Sequence, residues 1–309
     1  MRVDRLRASV VGTVAAAGLL GLAGCSTGGT AGAGAGRGSP PPSPSSSVSP
    51  QPSPSSPGSS SPTPSLPGTS VPPAPGRHYD PLALVGAWRV VAPGEQRAVV
   101  LRLADELTLT RRCGTLDGSW RADTEGLFVG FAFAGSGRCT GRFTPTWLVR
   151  AVGYRTDGRD RLLLDRTGSP VARLTPVGHP GSVTLRPDVR NVMRAGAAVP
   201  VPLVPARADD LVGRWVPVGG APRAFVRFRA DWWWDGLDGC NGQGGRWTVG
   251  PGGEFVAVSG AQTLIGCLST DVAGLLDRTS HVALQGSALV LLDTKGHRVA
   301  RLVRAPATP

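Results

Sequence analysis

The chain has 309 residues, including 44 glycines and 29 prolines, and a formal net charge of +12. Lys295 is its one lysine, so arginine carries the excess, which points to coding bias and a solvated basic surface more than to a nucleic-acid partner. The length is too great for one small domain, and no uninterrupted apolar stretch reaches the roughly 20 residues that a membrane-spanning helix needs.

The first element is a leader. Arg2, Arg5 and Arg7 precede an uncharged, mostly apolar run over residues 8–23, the arrangement of a secretory signal. The run ends in Leu22, Ala23, Gly24 and Cys25, which resembles the lipobox of bacterial lipoproteins: an aliphatic residue, two small ones, then cysteine. The resemblance implies cleavage after residue 24 and diacylglyceryl attachment to the Cys25 thiol; the competing reading is an ordinary signal with an incidental cysteine. Two or three acyl chains, at about 0.8 kcal/mol per buried methylene, hold a protein on a membrane where one chain does not. The expected location is the cell membrane, with the folded part facing away from the cytoplasm.

Residues 25–80 follow as the lipidated cysteine and a Gly, Pro and Ser-rich stalk with too little apolar surface to offset the entropy of ordering. Its Pro-rich part favours polyproline II, about 3.1 Å per residue, a reach on the order of 100 Å.

The remainder repeats itself. LVGAW from Leu84 recurs as LVGRW from Leu211, and Trp88 and Trp215, Cys113 and Cys240, and Trp120 and Trp247 are each 127 positions apart. Cys139 and Cys267, and VARL from Val171 and from Val299, are 128 apart. Two homologous domains are therefore expected at 81–178 and 209–305, joined by a Pro-rich linker at 179–208 with a short structured piece near Val189, and followed by a tail at 306–309. Within each, period-two runs such as AFVRFRA, EFVAVSG and LFVGFAFAG are strands, separated by turn clusters. One helix per copy follows the second cysteine. Thr144 caps it and Pro145 opens it in the first copy, with Trp147, Leu148 and Ala151 on its apolar face; Thr270 caps it in the second, with Asp271 in the first turn and Val272, Leu275 and Leu276 inward. The fold class read from this pattern is mainly β: two tandem small β-barrel-like domains, each with one helix.

Four cysteines remain after Cys25, two per domain and 26 or 27 residues apart, so an exported location predicts the disulfides Cys113–Cys139 and Cys240–Cys267. Zinc is the rival reading, but there is no Cys-x-x-Cys and the four histidines are scattered; no metal or other cofactor is expected. Trp232, Trp233 and Trp234 are consecutive. A strand would send Trp232 and Trp234 to one face and Trp233 to the other, which makes Trp232 and Trp234 candidates for a contact surface against the alternative of core packing.

LVGRW, FVRFRAD, DGLDGCNGQGGRW, the cysteine before the helix at Cys267, and ALVLLDTKGHRVARL together resemble the META or HslJ-like domain of bacterial envelope proteins. The Gly239-Cys240-Asn241 triplet is the most specific element, with Asn241 and the glycines after it suited to a tight turn of positive φ. In the first copy Gly114 stands where Asn241 does, so that copy is a diverged version. The resemblance implies a small barrel-like sheet with a helix against it, frequent lipoprotein membership and links to heat shock and drug tolerance, and it carries over no catalytic residue.

The expected function is a non-enzymatic envelope module that binds a protein, a lipid or a wall component. The alternatives are a hydrolase and a structural support. From Pro81 onward there is neither G-x-S-x-G nor H-E-x-x-H, and paired carboxylates such as Asp235 and Asp238, which could serve as an acid–base set, lie in a turn-rich segment and read as turn formers. Oligomeric state is left open.

Overall fold

A computed structural model describes residues 79–95, 99–139, 144–178, 183–263 and 265–305. The expected signal segment, Cys25 and all but the last two residues of the expected stalk lie outside them, as does the expected tail. The described chain is mainly β. In the first copy a 3-10 turn at Pro81–Leu84 leads into β1 (Gly86–Val91), β2 (Val100–Leu103), β3 (Leu107–Arg111), β4 (Gly114–Ala122) and β5 (Phe128–Gly135). Helix α1 (Thr146–Arg150) then precedes β6 (Gly153–Asp157), β7 (Asp160–Leu164) and β8 (Pro170–Pro176). Every pairing is antiparallel, in the order β5-β4-β3-β2-β1-β8-β7-β6. The two edges meet: the Phe128 N–H donates to Val152 O at 3.0 Å and the Tyr154 N–H to Gly126 O at 2.8 Å. The sheet is thus a barrel closed by a short seam.

Between the copies come α2 (Pro187–Val192), β9 (Val204–Pro205) and α3 (Ala208–Leu211). The second copy holds β10 (Gly213–Pro217), β11 (Phe225–Phe228), β12 (Trp233–Leu237), β13 (Gly242–Val249) and β14 (Phe255–Ser259), then α4 (Val272–Asp277), β15 (His281–Gln285), β16 (Ala288–Leu292) and β17 (Arg298–Arg304). Its order repeats that of the first, with β9 added beyond β15. Its seam repeats too, through Phe255 N–H to Ser280 O and Val282 N–H to Gly253 O, both 2.7 Å.

The LVGxW repeat has a structural cause. The Trp88 indole donates to Leu84 O at 2.7 Å and the Trp215 indole to Leu211 O at 2.6 Å, so each ring satisfies the last carbonyl of the turn beneath it while filling the barrel. The chain can double back this closely because Gly86 and Gly213 sit at φ 145° and 128°, open to glycine and strained for other residues. Gly118 and Gly245 are likewise equivalent. A Cβ on either would lie about 2 Å from a carbonyl of the neighbouring strand, Phe131 O at 2.0 Å or Val258 O at 1.9 Å.

Eight strands leave an interior just wide enough for side chains. The first barrel is filled by Trp88, Leu101, Trp120, Phe128, Trp147 and Tyr154, and the second by Trp215, Phe228, Trp232, Trp247 and Phe255, all buried. Both predicted disulfides are present, Cys113–Cys139 and Cys240–Cys267. By loop entropy each contributes about 3 to 4 kcal/mol.

Two local expectations are corrected. Pro145, not Thr144, is the N-cap of α1, and Thr144 Oγ1 instead donates to Ala132 O at 2.6 Å. Asp271, not Thr270, caps α4 by accepting the Gly274 N–H, while Thr270 Oγ1 accepts from the Ala221 N–H at 2.6 Å. The linker is also more than a tether. Leu185 and Met193 are buried against the first core, Ala206 is buried in the second, and β9 pairs with β15.

Candidate functional site

The two barrels share a face. Leu127, just before β5, and Val129 on it pack on Val256 and Val258 of β14, with Phe131 against them. Val129 and Val256 are repeat equivalents, as are Phe131 and Val258, so the contact joins like to like around an approximate two-fold axis. Each barrel inserts one arginine into the end of the other's helix. Arg246 on β13 donates to Gly130 O at 3.3 Å, Leu148 O at 2.7 Å and Val149 O, the last two at the C-terminal end of α1. Arg121 on β4 donates to Asp277 O at 2.7 Å and Thr279 O at 2.8 Å at the end of α4. Helix C-termini present unpaired carbonyls and partial negative charge, which these cations meet. Burial pushes Arg246 down to about 9 and Arg121 to about 10, so both stay charged at neutral pH.

Along this junction runs a groove of about 520 Å³, lined by Phe131 and Phe133 from the first barrel and Trp233, Arg229, Asp231 and Asp235 from the second. The Trp233 ring meets the edge of Phe131 at a centroid distance of 4.9 Å, and Phe133 lies 5.6 Å from Phe131. Ion pairs fix the rim, Arg229 with Asp231 at 2.7 Å and Arg227 with Asp235 at 2.9 Å. An aromatic floor with a charged rim is the chemistry that binding grooves use, apolar area for affinity and directional polar groups for register.

Trp232 and Trp234, proposed above as the contact surface, are both buried. The strand begins only at Trp233. Trp232 occupies a turn at φ 68°, which swings its ring into the core 4.7 Å from Trp247 instead of out to solvent. The Trp234 indole donates to Val258 O at 3.1 Å. The half-exposed member is Trp233. Its partners in the groove, Phe131 and Phe133, stood in the sequence as alternate residues of LFVGFAFAG, and only the second barrel's position reveals what they face.

Asp235 and Asp238 do not form an acid–base pair. Asp235 is held by Arg227, whereas Asp238 is buried in the turn before Cys240. Burial works to raise the Asp238 pKa, but the N–H groups of Cys240 and Asn241 and the Asn241 amide outweigh it and hold the carboxyl below the usual range. Positive φ falls on Gly239, at 133°, and not on Asn241. The Asn241 side chain instead ties down the loop opposite, accepting from Ile265 N–H at 2.6 Å and Thr263 Oγ1 at 3.1 Å. Asp238, Cys240 and Cys267 converge as ligand-type groups, but both sulfurs are joined in the disulfide and offer no thiolate.

A smaller polar chamber of about 230 Å³ lies at the other side of the shared face, lined by Arg121, Asp123, Glu125, Glu254, Ser280 and His281 among others. Burial raises Asp123 to about 7 despite N–H bonds from Leu127 and Glu125. Burial also lowers His281, which Glu254 partly offsets. Ser280 Oγ lies 3.3 Å from His281 Nδ1. At neutral pH the chamber therefore holds a carboxyl near its midpoint beside a neutral imidazole. Sequence reading missed it because its members come from both copies and from neither motif.

Comparison with known protein families, with curated proteins and with solved structures finds no match to this chain.

Proposed function

We propose that this chain is an exported, lipid-anchored, non-enzymatic binding module of the bacterial envelope, built from two META/HslJ-like barrels locked into one platform. The Leu22 to Cys25 lipobox supports the anchor, and the quoted motifs of the second copy support the domain reading. The carrying observation for binding is that both barrel interiors are filled with tryptophan and phenylalanine while the aromatic residues Phe131, Phe133 and Trp233 line an open groove. A ligand would be met on the outside, at the junction, by a surface that needs both barrels. Its partner would be an envelope protein, lipid or wall component within reach of the stalk.

Two measurements test the two halves of this reading. Cys25→Ser is expected to abolish incorporation of labelled fatty acid and to move the protein from the membrane to the soluble fraction; unchanged labelling would remove the anchor. A photo-crosslinking residue at Phe133, in the full chain in its own envelope, is expected to yield a discrete adduct that the same residue at exposed Val91 does not. Phe133→Ser should cut capture by a crosslinker at the neighbouring Ala261 about tenfold or more, the effect of losing an aromatic anchor. Equal adducts from Phe133 and Val91 would count against the groove.

A further inference from the structure

The residues beside the disulfides separate the two barrels. Cys113 and Cys139 are preceded by Arg112 and Arg138; Cys240 and Cys267, at the same places in the repeat, are preceded by Gly239 and Gly266. The Cys113–Cys139 bond brings its two Cα atoms to 4.9 Å, and the Arg138 N–H donates to Cys113 O at 2.6 Å. The staple therefore holds two guanidinium-bearing residues side by side at one end of the barrel. Arg111 adds a third, where the second barrel has Asp238.

These residues line a cleft of about 440 Å³ together with Gly94, Glu95, Val99 and Cys113. Its one carboxylate is already engaged: the side chain of Glu95, 6% exposed, is paired with Arg111 and accepts from the Trp147 indole at 2.7 Å. Arg111 Nε is buried without a partner, and the side chains of Arg112 and Arg138 are exposed with no hydrogen bond or ion pair among the described residues. Three cationic side chains lining one cleft repel one another, and an anion between them relieves that repulsion. In the second barrel Asp238 accepts from the Asn241 amide, and Asn241 in turn accepts from Thr263 and Ile265, an arrangement that Arg111 and Gly114 remove from the first.

We propose that this end of the first barrel is a binding site for phosphoryl oxyanions, gripped by Arg112 and Arg138 and oriented by Arg111. Guanidinium groups match the phosphoryl group because two parallel N–H donors meet two oxygens. The site uses residues distinct from the aromatic groove and stands whether or not that groove binds anything.

The test is calorimetric titration of the otherwise complete chain, carrying Cys25→Ser so that no anchor contributes, with tripolyphosphate at low salt. Binding is expected, weakening as ionic strength rises. Arg112→Gly with Arg138→Gly, which reproduces the second barrel's pair, should reduce affinity about a hundredfold, and Arg112→Gln or Arg138→Gln alone about tenfold. Arg173→Gln, an exposed arginine already paired with Asp157 and Asp160, should change nothing. Co-sedimentation with vesicles of anionic against zwitterionic phospholipid separates the sources: retention on anionic vesicles that depends on Arg112 and Arg138 assigns the phosphoryl group to a lipid headgroup, and tripolyphosphate binding alone assigns it to a water-borne phosphate. No binding in either arm, or binding indifferent to both arginines in variants that unfold cooperatively with their disulfides intact, overturns the proposal.

Discussion

Arg246→Met is expected to lower the stability of the two-barrel unit by about 3 to 5 kcal/mol and to split its denaturant unfolding into two transitions. The wild-type guanidinium is buried and donates to three carbonyls of the other barrel, at Gly130, Leu148 and Val149. Methionine fills much of the volume but leaves those carbonyls facing an apolar side chain, and each unsatisfied buried acceptor costs roughly 1 to 3 kcal/mol before water relieves part of it. Because the loss falls on the shared face and not within either core, each barrel keeps its own packing. The coupling between them is what weakens, so cooperativity should fail first. Arg246→Lys should recover only part of the loss, since one compact ammonium cannot reach three acceptors spread over β5 and the end of α1. Urea titration followed by tryptophan fluorescence checks this. A single transition within about 0.5 kcal/mol of wild type would show that the apolar contact of Leu127, Val129, Val256 and Val258 joins the barrels without the arginine.

Asp123→Asn is expected to remove a pH dependence of about 2 to 4 kcal/mol. Burial raises the folded-state pKa of Asp123 to about 7, against roughly 3.9 for an unfolded aspartate. The native state therefore holds this proton more tightly than the unfolded state does. Below about pH 4 both states are protonated and the contribution is fully present. Between about 4 and 7 the unfolded chain has released the proton and the native chain has not, so stability falls as pH rises; above about 7 both are ionised and the slope ends. The full three-unit difference is about 4 kcal/mol, and solvent reaching the side chain through the chamber reduces it. Asparagine keeps an oxygen for the N–H groups of Glu125 and Leu127, bonded to Asp123 Oδ1 at 3.0 and 2.8 Å. His281, lowered by burial, acts with the opposite sign: its contribution is full above the unfolded imidazole's value of about 6.5 and is lost as pH falls below it toward the lower folded pKa. The difference between variant and wild type isolates Asp123, and urea midpoints at pH 5 and pH 8 give it. Parallel profiles for the two proteins would place the carboxyl in water.

Much of the architecture was readable because the constraints on it are local and occur twice. A tryptophan that must reach back to the fourth carbonyl behind it, past a glycine of positive φ, leaves four of the same five letters at Leu84 and Leu211. Paired cysteines at equal spacing gave the staples. What escaped was what depends on the second barrel. EFVAVSG reads as an alternating strand with one wet face, yet Phe255, Val256, Ala257 and Val258 are all buried, because one side faces the barrel interior and the other faces β5. Arg121 and Arg246 look like solvated strand arginines until each is seen at the end of the opposite helix. Trp232 was misplaced for a different reason: a single turn residue at φ 68° breaks the period-two rule one position before the strand starts.

The shared face matches residues of one copy with their own equivalents in the other, which is the geometry of a homodimer written into one chain. In a true homodimer any change at the cysteine end of the barrel would appear at both ends of the assembly. Fusion lifts that requirement. One end can keep Gly239 and Gly266 while the other acquires Arg112 and Arg138, and a symmetric scaffold becomes a polar object with two unlike poles.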